Sequence, residues 1–336
     1  MTDKTVLVTD FTWPAPDIEV EVLKAVNAKL LLAPSSDEST LIELVAQADA
    51  ILTCFAHVTE SVIRAGNKLQ VIGRYGIGVD NIDVSTATSL EIPVTYVPAY
   101  CVDEVAEHTL GFVLSLARKI ALYDHAVRQG SWNLQDGLPI HRVRGKTLGL
   151  IGFGRIGQVV AQKATGFGMN VTFYDPDASV KNVVDKELAN AVSLKKLITE
   201  SDFISLHAPL TESTRTLVNA DFMRAMKSSA CLVNCARGGL IDHDALLIAL
   251  RQGHIAGAAL DVFEPEQLTP DHPLLQLGNL IATPHVAFYS AESVEELQRR
   301  ASMNVAAILD ERLPEAIINP EVLERPRWRH LVESVG

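Results

Sequence analysis

The sequence predicts an α/β protein with two doubly wound parallel sheets, and three observations support this fold class. Short β-branched runs alternate with amphipathic helical stretches along the chain, as parallel strands joined by crossover helices do. A length of 336 residues suggests two domains, since one domain usually takes roughly 100–200 residues. A glycine-rich turn follows one strand run directly and opens a helical run at the start of a second α/β unit.

Composition narrows the class of partner. The formal net charge is −12, whereas nucleic-acid binding needs a basic surface that neutralises phosphates. No apolar run has the length of a membrane span, and the N-terminal stretch MTDKTVLVTD lacks the apolar core of a signal peptide. We therefore expect a cytoplasmic protein that binds neither nucleic acid nor membrane.

The four cysteines show neither a disulfide framework nor the spacing of a metal site. We expect reduced thiols and no metal ion. The cysteines are Cys54, Cys101, Cys231 and Cys235.

The first α/β unit is predicted to end near Pro98. Its expected strands are residues 6–10, 29–33, 50–55, 70–75 and 93–98. Between the second and third strands, the stretch STLIELVAQA predicts a helix that Ser39 could cap.

Residues 102–130 predict one long helix, because helical periodicity continues for nearly thirty residues without proline. Its apolar surface, which includes Val105, Leu110 and Val113, is wider than one packing contact needs. Such a helix packs deeply between domains or forms a subunit interface, and we expect it to support a homodimer.

The second α/β unit starts after the polar loop that follows this helix. Its expected strands are residues 146–153, 170–175, 203–208, 230–236, 256–263 and 280–286. A last helix over 290–313 is left over, and we expect it to cross back to the first unit. The predicted domains are therefore discontinuous, with 1–99 and 291–336 in one and 100–290 in the other.

The stretch GLIGFGRIGQ carries the pattern G-x-G-x-x-G at Gly152, Gly154 and Gly157. After a strand and before a helix, these glycines allow a tight turn, close approach of a pyrophosphate and helix–strand packing. Asp175 ends the next strand, where a carboxylate binds ribose hydroxyls and repels a 2′-phosphate. The pattern predicts NAD rather than NADP, and a purely structural turn is the alternative.

A second glycine-rich stretch, GRYGIGVDNID, follows a strand of the first unit. Successive N–H groups of Gly76, Ile77 and Gly78 could form an anion-binding nest for a substrate carboxylate. The alternative is an ordinary strand-to-helix turn capped by Asp80 or Asp83.

Arg237, Glu266 and His285 each lie at or just after the end of a strand run in the second unit. The carboxyl ends of parallel strands form the ligand crevice of such a sheet, so these side chains are expected together. An arginine binds a 2-oxo acid, a histidine exchanges the hydroxyl proton, and a carboxylate fixes the histidine tautomer. The set predicts hydride transfer between a nicotinamide cofactor and a 2-oxo acid.

Each residue also has a purely structural interpretation. Arg237 could neutralise Asp242 at a helix start. Glu266 could be a surface charge, and His285 a hydrogen-bonded core histidine.

These stretches together resemble the D-isomer-specific 2-hydroxyacid dehydrogenases over nearly the full length of the chain. In that family the equivalents of Arg237, Glu266 and His285 are catalytic. One departure is Gln267, where members often have proline. The segments that carry the resemblance are GRYGIGVDNID, VDEVAEHTLGFVLSLAR, LGLIGFGRIGQ, VNCARGGLIDHDAL, GAALDVFEPE and ATPHVAFYS.

The resemblance implies a flavodoxin-like substrate domain and a Rossmann-like NAD-binding domain with a cleft between them, and dimerisation through the latter. It further implies cofactor contacts from Arg155, Ile156, Asp175, His207, Pro209, Thr214, Ala236 and Asp261.

The runs PAYCVDEVAEHT and ATPHVAFYSAES resemble the branch with phosphoglycerate dehydrogenase-like enzymes and C-terminal binding protein corepressors. That branch offers an alternative function, an NAD-sensing scaffold with little turnover. The complete catalytic set favours the enzyme over the scaffold. A pure metabolite-binding module, a third alternative, would have no reason to keep the Glu266–His285 pair. Substrate choice is expected to depend on loops near Tyr75, Tyr100 and 132–144, and Arg74 or Arg142 could meet a second anionic group.

Overall fold

Two parallel sheets organise the structure, a computed structural model that describes residues 4–177, 179–180 and 188–333. The chain divides into a first unit of residues 1–100 with 290–336 and a second unit of residues 101–289. Helices cover both faces of each sheet. The predicted fold class, two doubly wound parallel-sheet domains, is confirmed.

The first unit has a five-stranded sheet in the order β2-β1-β3-β4-β5, which is the flavodoxin-like order. Its strands are β1 (Lys4–Val8), β2 (Ala28–Leu32), β3 (Ala50–Thr53), β4 (Val71–Arg74) and β5 (Val94–Thr95). Its helices are Asp17–Lys24, Glu38–Val45, Glu60–Ala65, Val84–Ser89, Ala291–Leu309 and Arg329–Glu333, with a 3₁₀ turn at Pro320–Glu324.

The helix Ala291–Leu309 covers one face of this sheet, against β3, β4 and the helix Asp17–Lys24. It starts at a capping box in which Ser290 and Ser293 bond each other's backbone N–H groups. Contact with the sheet is close, since a Cβ at Gly73 would lie 2.5 Å from a methyl group of Val305. The last part of the chain thereby completes the core of the first unit.

The second unit has a seven-stranded sheet in the order β12-β11-β10-β9-β6-β7-β8. Its strands are β6 (Thr147–Ile151), β7 (Asn170–Tyr174), β8 (Asn190–Ala191), β9 (Phe203–Leu206), β10 (Cys231–Asn234), β11 (Gly257–Leu260) and β12 (Leu280–Ala282). The chain order reverses between β6 and β9, and such a switch point is where parallel sheets bind ligands.

Helices on the two faces of this sheet enclose separate apolar cores. The helices Val102–Arg118 and Arg155–Gly166 lie on one face. The other helices of the unit are Ile120–Arg128, Leu194–Glu200, Ala220–Ala225 and His243–Arg251, with 3₁₀ turns at Leu134–Gly137, Gly238–Leu240 and Pro273–Gln276. Within the described parts of the chain, no helix combines the length and apolar character that a membrane span requires.

The prediction of one helix over 102–130 is wrong. Lys119 adopts a left-handed conformation with φ of 59° and separates Val102–Arg118 from Ile120–Arg128. The apolar face of the first helix is buried within its own unit, whereas the second helix has no buried residue among those described. The second helix, in contrast, exposes apolar side chains such as Ile120 and Val127.

Smaller differences concern the ends of elements. We predicted Ser39 as the N-cap of its helix, but Ser39 lies in the first turn. The N-cap position is occupied by Asp37. The strand predicted over 230–236 ends at Asn234, so Arg237 lies three residues beyond it. The short strand β8 was not predicted, because two residues carry no periodic pattern.

Candidate active site

The glycine turn after β6 has the shape that a dinucleotide requires. Gly152 has a positive φ of 90°, and a Cβ there would lie 2.6 Å from the His207 carbonyl oxygen. At Gly154 a Cβ would meet open space, so the backbone is accessible where the helix Arg155–Gly166 begins. No side chain of the described residues caps this helix, and its N-terminal dipole favours a pyrophosphate. These residues fit NAD.

Asp175 is held beside the turn at the end of β7. Its Oδ2 accepts a hydrogen bond of 2.8 Å from the Phe153 backbone N–H, and its Oδ1 accepts one of 2.9 Å from Asp177. Each carboxylate oxygen has further acceptor capacity. Asp175, the residue predicted to bind the ribose, is therefore hydrogen-bonded to the glycine turn.

The segment after β9 lies on the other side of the switch point. The His207 N–H donates to the Ile151 carbonyl over 2.7 Å, and its ring Nε2 is 2.9 Å from the Ser205 hydroxyl. Burial lowers the pKa of His207 to about 4, so the ring is neutral at neutral pH. Thr214 donates its hydroxyl to the Pro209 carbonyl over 2.7 Å and thereby closes the following loop.

Arg237 is in extended backbone just beyond β10. The buried Asn234 side chain donates a hydrogen bond of 2.8 Å to the Arg237 carbonyl and accepts one of 2.9 Å from the Ala236 N–H. The guanidinium Nη1 donates 2.7 Å to the Ala236 carbonyl. Asp242 accepts from the Ala245 N–H as a helix N-cap, a role that does not depend on Arg237.

The two glycines after Arg237 bring its segment against the loop that leads to Glu266. A Cβ at Gly238 would lie 2.1 Å from the Phe263 carbonyl carbon and oxygen, and one at Gly239 would lie 2.2 Å from Glu264 Oε2. Arg215 Nη1 donates hydrogen bonds of 2.8 and 2.9 Å to the two carboxylate oxygens of Glu264. The Arg237 and Glu266 segments are thus packed together.

Glu266 and His285 form a hydrogen-bonded pair between Oε1 and Nδ1. The Glu266 side chain is 51% exposed and that of His285 is 23% exposed, so the ring is not a core histidine. A carboxylate on Nδ1 fixes the tautomer and leaves Nε2 for proton exchange. His285 has a positive φ of 55°, in a turn that Asp261 holds through its carboxylate and its carbonyl.

The segment predicted to form an anion nest, Gly76 to Gly78, lies in the first unit between β4 and the helix Val84–Ser89. Gly76 has a φ of 150°, and Asp83 caps the following helix by accepting from the Thr86 N–H over 2.9 Å. The Tyr75 side chain is 1% exposed, so a role for Tyr75 in substrate binding would fall to its backbone. The Arg74 guanidinium donates to the Asn81 side chain and the Tyr75 carbonyl.

The sequence reasoning missed Asn234, Thr283 and His108. Asn234 was signalled by an amide inside the otherwise apolar run ACLVNCA. Thr283 and His108 gave no local signal, because their contact joins residues 175 positions apart in the chain.

Comparison with known proteins identifies the family. The model of the D-isomer specific 2-hydroxyacid dehydrogenase NAD binding domain matches residues 110–287. This match confirms the predicted NAD cofactor and the oxidoreductase class.

Relatives match over most of the chain. A glyoxylate reductase of Korarchaeum cryptofilum is 38% identical over 87% of this chain and 89% of its own length. A D-3-phosphoglycerate dehydrogenase of Methanocaldococcus jannaschii is 40% identical over 94% of this chain, which spans 59% of that protein.

A solved structure, D-lactate dehydrogenase from Aquifex aeolicus complexed with NAD and lactic acid, shares the fold with a TM-score of 0.82. It is 29% identical, and the match covers 96% of this chain and 98% of that one. The chain, an NAD-dependent enzyme, belongs to the D-isomer-specific 2-hydroxyacid dehydrogenase family.

Proposed function

We propose that the protein catalyses reversible reduction of a small 2-oxo acid to the D-2-hydroxy acid. The observation that carries this proposal is the Glu266–His285 pair, which lies in the same unit as the glycine turn that fits NAD. Together they supply a proton-exchanging imidazole next to a nicotinamide-binding fold. NADH, when bound, supplies the hydride that the carbonyl carbon receives.

Arg237 binds and orients the substrate in this proposal. A guanidinium presents a planar fork of donors that matches a carboxylate and an adjacent carbonyl oxygen. Asn234 and the packing at Gly238 hold its backbone, so that little conformational freedom of the backbone is lost when substrate binds. The guanidinium also stabilises the negative charge that develops on the carbonyl oxygen during reduction.

His285 donates a proton from Nε2 to the developing alkoxide during reduction and removes the hydroxyl proton during oxidation. Glu266 accepts the Nδ1 hydrogen throughout, and its charge stabilises the protonated ring. The carboxylate therefore acts on the ring, and not on the substrate itself.

The proposed substrate class is a small 2-oxo acid with a single negative charge, such as glyoxylate. Support comes from Arg74, which is 8% exposed and already donates to Asn81 and to the Tyr75 carbonyl. A side chain committed in this way is poorly placed to bind a phosphate. The proposal assigns the N–H groups of Gly76, Ile77 and Gly78 to the substrate carboxylate.

A cytoplasmic location and a homodimer also belong to the proposal. The four cysteines are free thiols in the structure, as in proteins of reducing compartments. Exposed apolar residues of the helix Ile120–Arg128 and the loop after it support the dimer.

A panel of 2-oxo acids assayed for NADH oxidation tests the function. We expect turnover that falls roughly 10²–10⁴-fold in His285→Ala, as for other positioned proton donors, while NADH binding persists. His141→Ala is the control, since His141 is an exposed histidine of the same unit. Absence of turnover with every acid, or equal turnover in the two variants, would refute the proposal.

The role of Glu266 is tested separately with Glu266→Gln, which keeps the shape and removes the charge. Without the charge, Nδ1 of His285 faces a neutral amide that can either donate or accept, so the tautomer is fixed less firmly and reductive kcat/KM should fall. The measurement is reductive kcat/KM of the wild type and the variant, with NADH affinity as the control. An unchanged kcat/KM would leave Glu266 with a structural role only.

A further inference from the structure

Asp261 is a buried carboxylate, 1% exposed, directly after β11. Its Oδ1 accepts a hydrogen bond of 2.9 Å from the Val286 N–H, and its Oδ2 accepts one of 2.8 Å from the Ala287 N–H. Its carbonyl accepts from the His285 N–H over 2.7 Å. One residue thus holds the backbone of the turn that carries His285.

A third donor to this carboxylate is the Thr283 hydroxyl, which bonds Oδ1. The same hydroxyl oxygen lies 3.1 Å from His108 Nε2, which is itself 3.8 Å from Asp261 Oδ1. A hydroxyl has one hydrogen, and here Asp261 receives it. His108 must therefore donate its Nε2 hydrogen to the Thr283 oxygen.

His108 is anchored in the helix Val102–Arg118. Its ring packs edge-on against Phe112, one turn further along, with 4.5 Å between ring centroids. Burial lowers the pKa of His108, which favours a neutral ring with a single N–H. Hydrogen bonds therefore run from this helix through Thr283 and Asp261 to the turn at His285.

This turn needs such support. His285 has a positive φ of 55°, a conformation that costs a residue with a Cβ some free energy and persists only where the surroundings impose it. We propose that Thr283 and His108 are positioning residues, which fix the Asp261 carboxylate and thereby the backbone at His285. This inference rests on the proposed role of His285 in proton exchange.

Thr283→Val tests the inference, because it removes the hydroxyl and keeps the side-chain shape. We expect faster hydrogen exchange at the backbone amides of residues 285–287. We also expect kcat to fall roughly 10- to 100-fold with little change in KM, as for a small misplacement of a reacting group. Thr283→Ser restores the hydroxyl and should recover both values.

The companion pair changes the donor at position 108. His108→Gln keeps an N–H donor and should stay near the wild type, whereas His108→Phe removes it and should behave like Thr283→Val. Thr172→Val is the matched control. It makes the same change in the same unit, at a hydroxyl with no partner among the described residues, and should alter neither value.

Wild-type exchange in Thr283→Val would overturn the inference, and so would faster exchange with an unchanged kcat. Failure of Thr283→Ser to restore both values would do the same. A wild-type protein that reduces no 2-oxo acid would instead refute the proposed function. The exchange measurement would then still decide whether Thr283 holds the turn.

Discussion

Glu19 is a carboxyl group in the interior of the first unit, completely buried. Its Oε1 accepts from the Tyr75 hydroxyl over 3.0 Å and from the Trp13 indole N–H over 3.1 Å, while Oε2 has no hydrogen-bond partner among the described residues. Burial raises the pKa of Glu19 above its usual value. The neutral acid is therefore the form that the fold favours.

The raised pKa gives stability a defined pH dependence. Because the folded state holds this proton more tightly, its stabilising effect is complete at acidic pH and is lost as pH rises through the raised value. Glu19→Gln mimics the neutral acid, so it should match the wild type in acid and become the more stable protein at higher pH. Denaturant unfolding across this pH range measures the difference, with the exposed Glu43→Gln as control. A difference that does not vary with pH would contradict the assignment.

Asp175 carries the prediction of cofactor preference. Asp175→Asn keeps an acceptor for the Phe153 N–H but removes the charge that repels a 2′-phosphate. Since two unit charges about 4 Å apart interact by ~1–4 kcal/mol near a protein surface, the preference for NADH should narrow by tenfold or more. The ratio of kcat/KM with NADH to that with NADPH is the measurement. Asp177→Ala, two residues away and exposed, should leave this ratio unchanged.

At the residue scale, the positions of side chains near strand ends could be predicted better than contacts between distant segments. Arg237 and Glu266 lie one and three residues beyond their predicted strand runs, so their positions could be inferred from the chain itself. Glu19 reads as an ordinary polar helix position, because its partners Trp13 and Tyr75 come from other segments. Long-range contacts of this kind leave no periodic pattern in the sequence.

At the scale of elements, the 3₁₀ turn Gly238–Leu240 follows Arg237 and packs against the loop that carries Glu266. Gly238→Ala would place a methyl group 2.1 Å from the backbone of Phe263, so one of the two segments must move. We expect a loss of roughly 1–3 kcal/mol in unfolding free energy, as for other overpacked sites, and a lower kcat/KM.

Thermal unfolding and steady-state kinetics measure both effects. Gly278→Ala is the matched control, since a Cβ at Gly278 meets no atom within 4 Å. If Gly238→Ala and Gly278→Ala had the same stability and the same kcat/KM, the close packing at Gly238 would not be needed for activity.

The strands and helices were predicted more reliably than their ends. Buried parallel strands read as apolar runs whatever their neighbours, but the last paired residue depends on the partner strand. The break at Lys119 had no signal, because lysine is not typical of the left-handed conformation that it adopts there. Tertiary packing of Val102–Arg118 on its own unit decides where that helix ends.

At the scale of the whole molecule, five of the exposed apolar residues of the second unit lie within one stretch of the chain, residues 120–138. They include Ile120, which is 56% exposed, and Trp132, which is 85% exposed, with Val127, Leu134 and Leu138 nearby in sequence. Exposed apolar clusters of this kind commonly mark interfaces. The proposed homodimer therefore uses Ile120–Arg128 and the following loop, not the buried face of Val102–Arg118.

Sedimentation equilibrium tests this assembly. We expect a dimer for the wild type and dissociation in Ile120→Glu, because a charge would be buried in the interface. Ile248→Glu is the control, as Ile248 is equally exposed, at 53%, on a helix away from this cluster in the chain. A monomeric wild type, or a dimer that Ile120→Glu leaves intact, would contradict the proposed surface.

The route of the chain through the two units has a consequence for biosynthesis. The second unit is complete in residues 101–289, whereas the sheet of the first unit lacks the helix Ala291–Leu309 until the whole second unit has been synthesised. Domains emerging from the ribosome fold as they become complete. The NAD-binding unit can therefore fold first, while the strands of the first unit, which precede it in the chain, keep one apolar face uncovered. A nascent chain stalled before Ala291 would be exposed to aggregation at that face, and synthesis of the helix Ala291–Leu309 would remove this exposure.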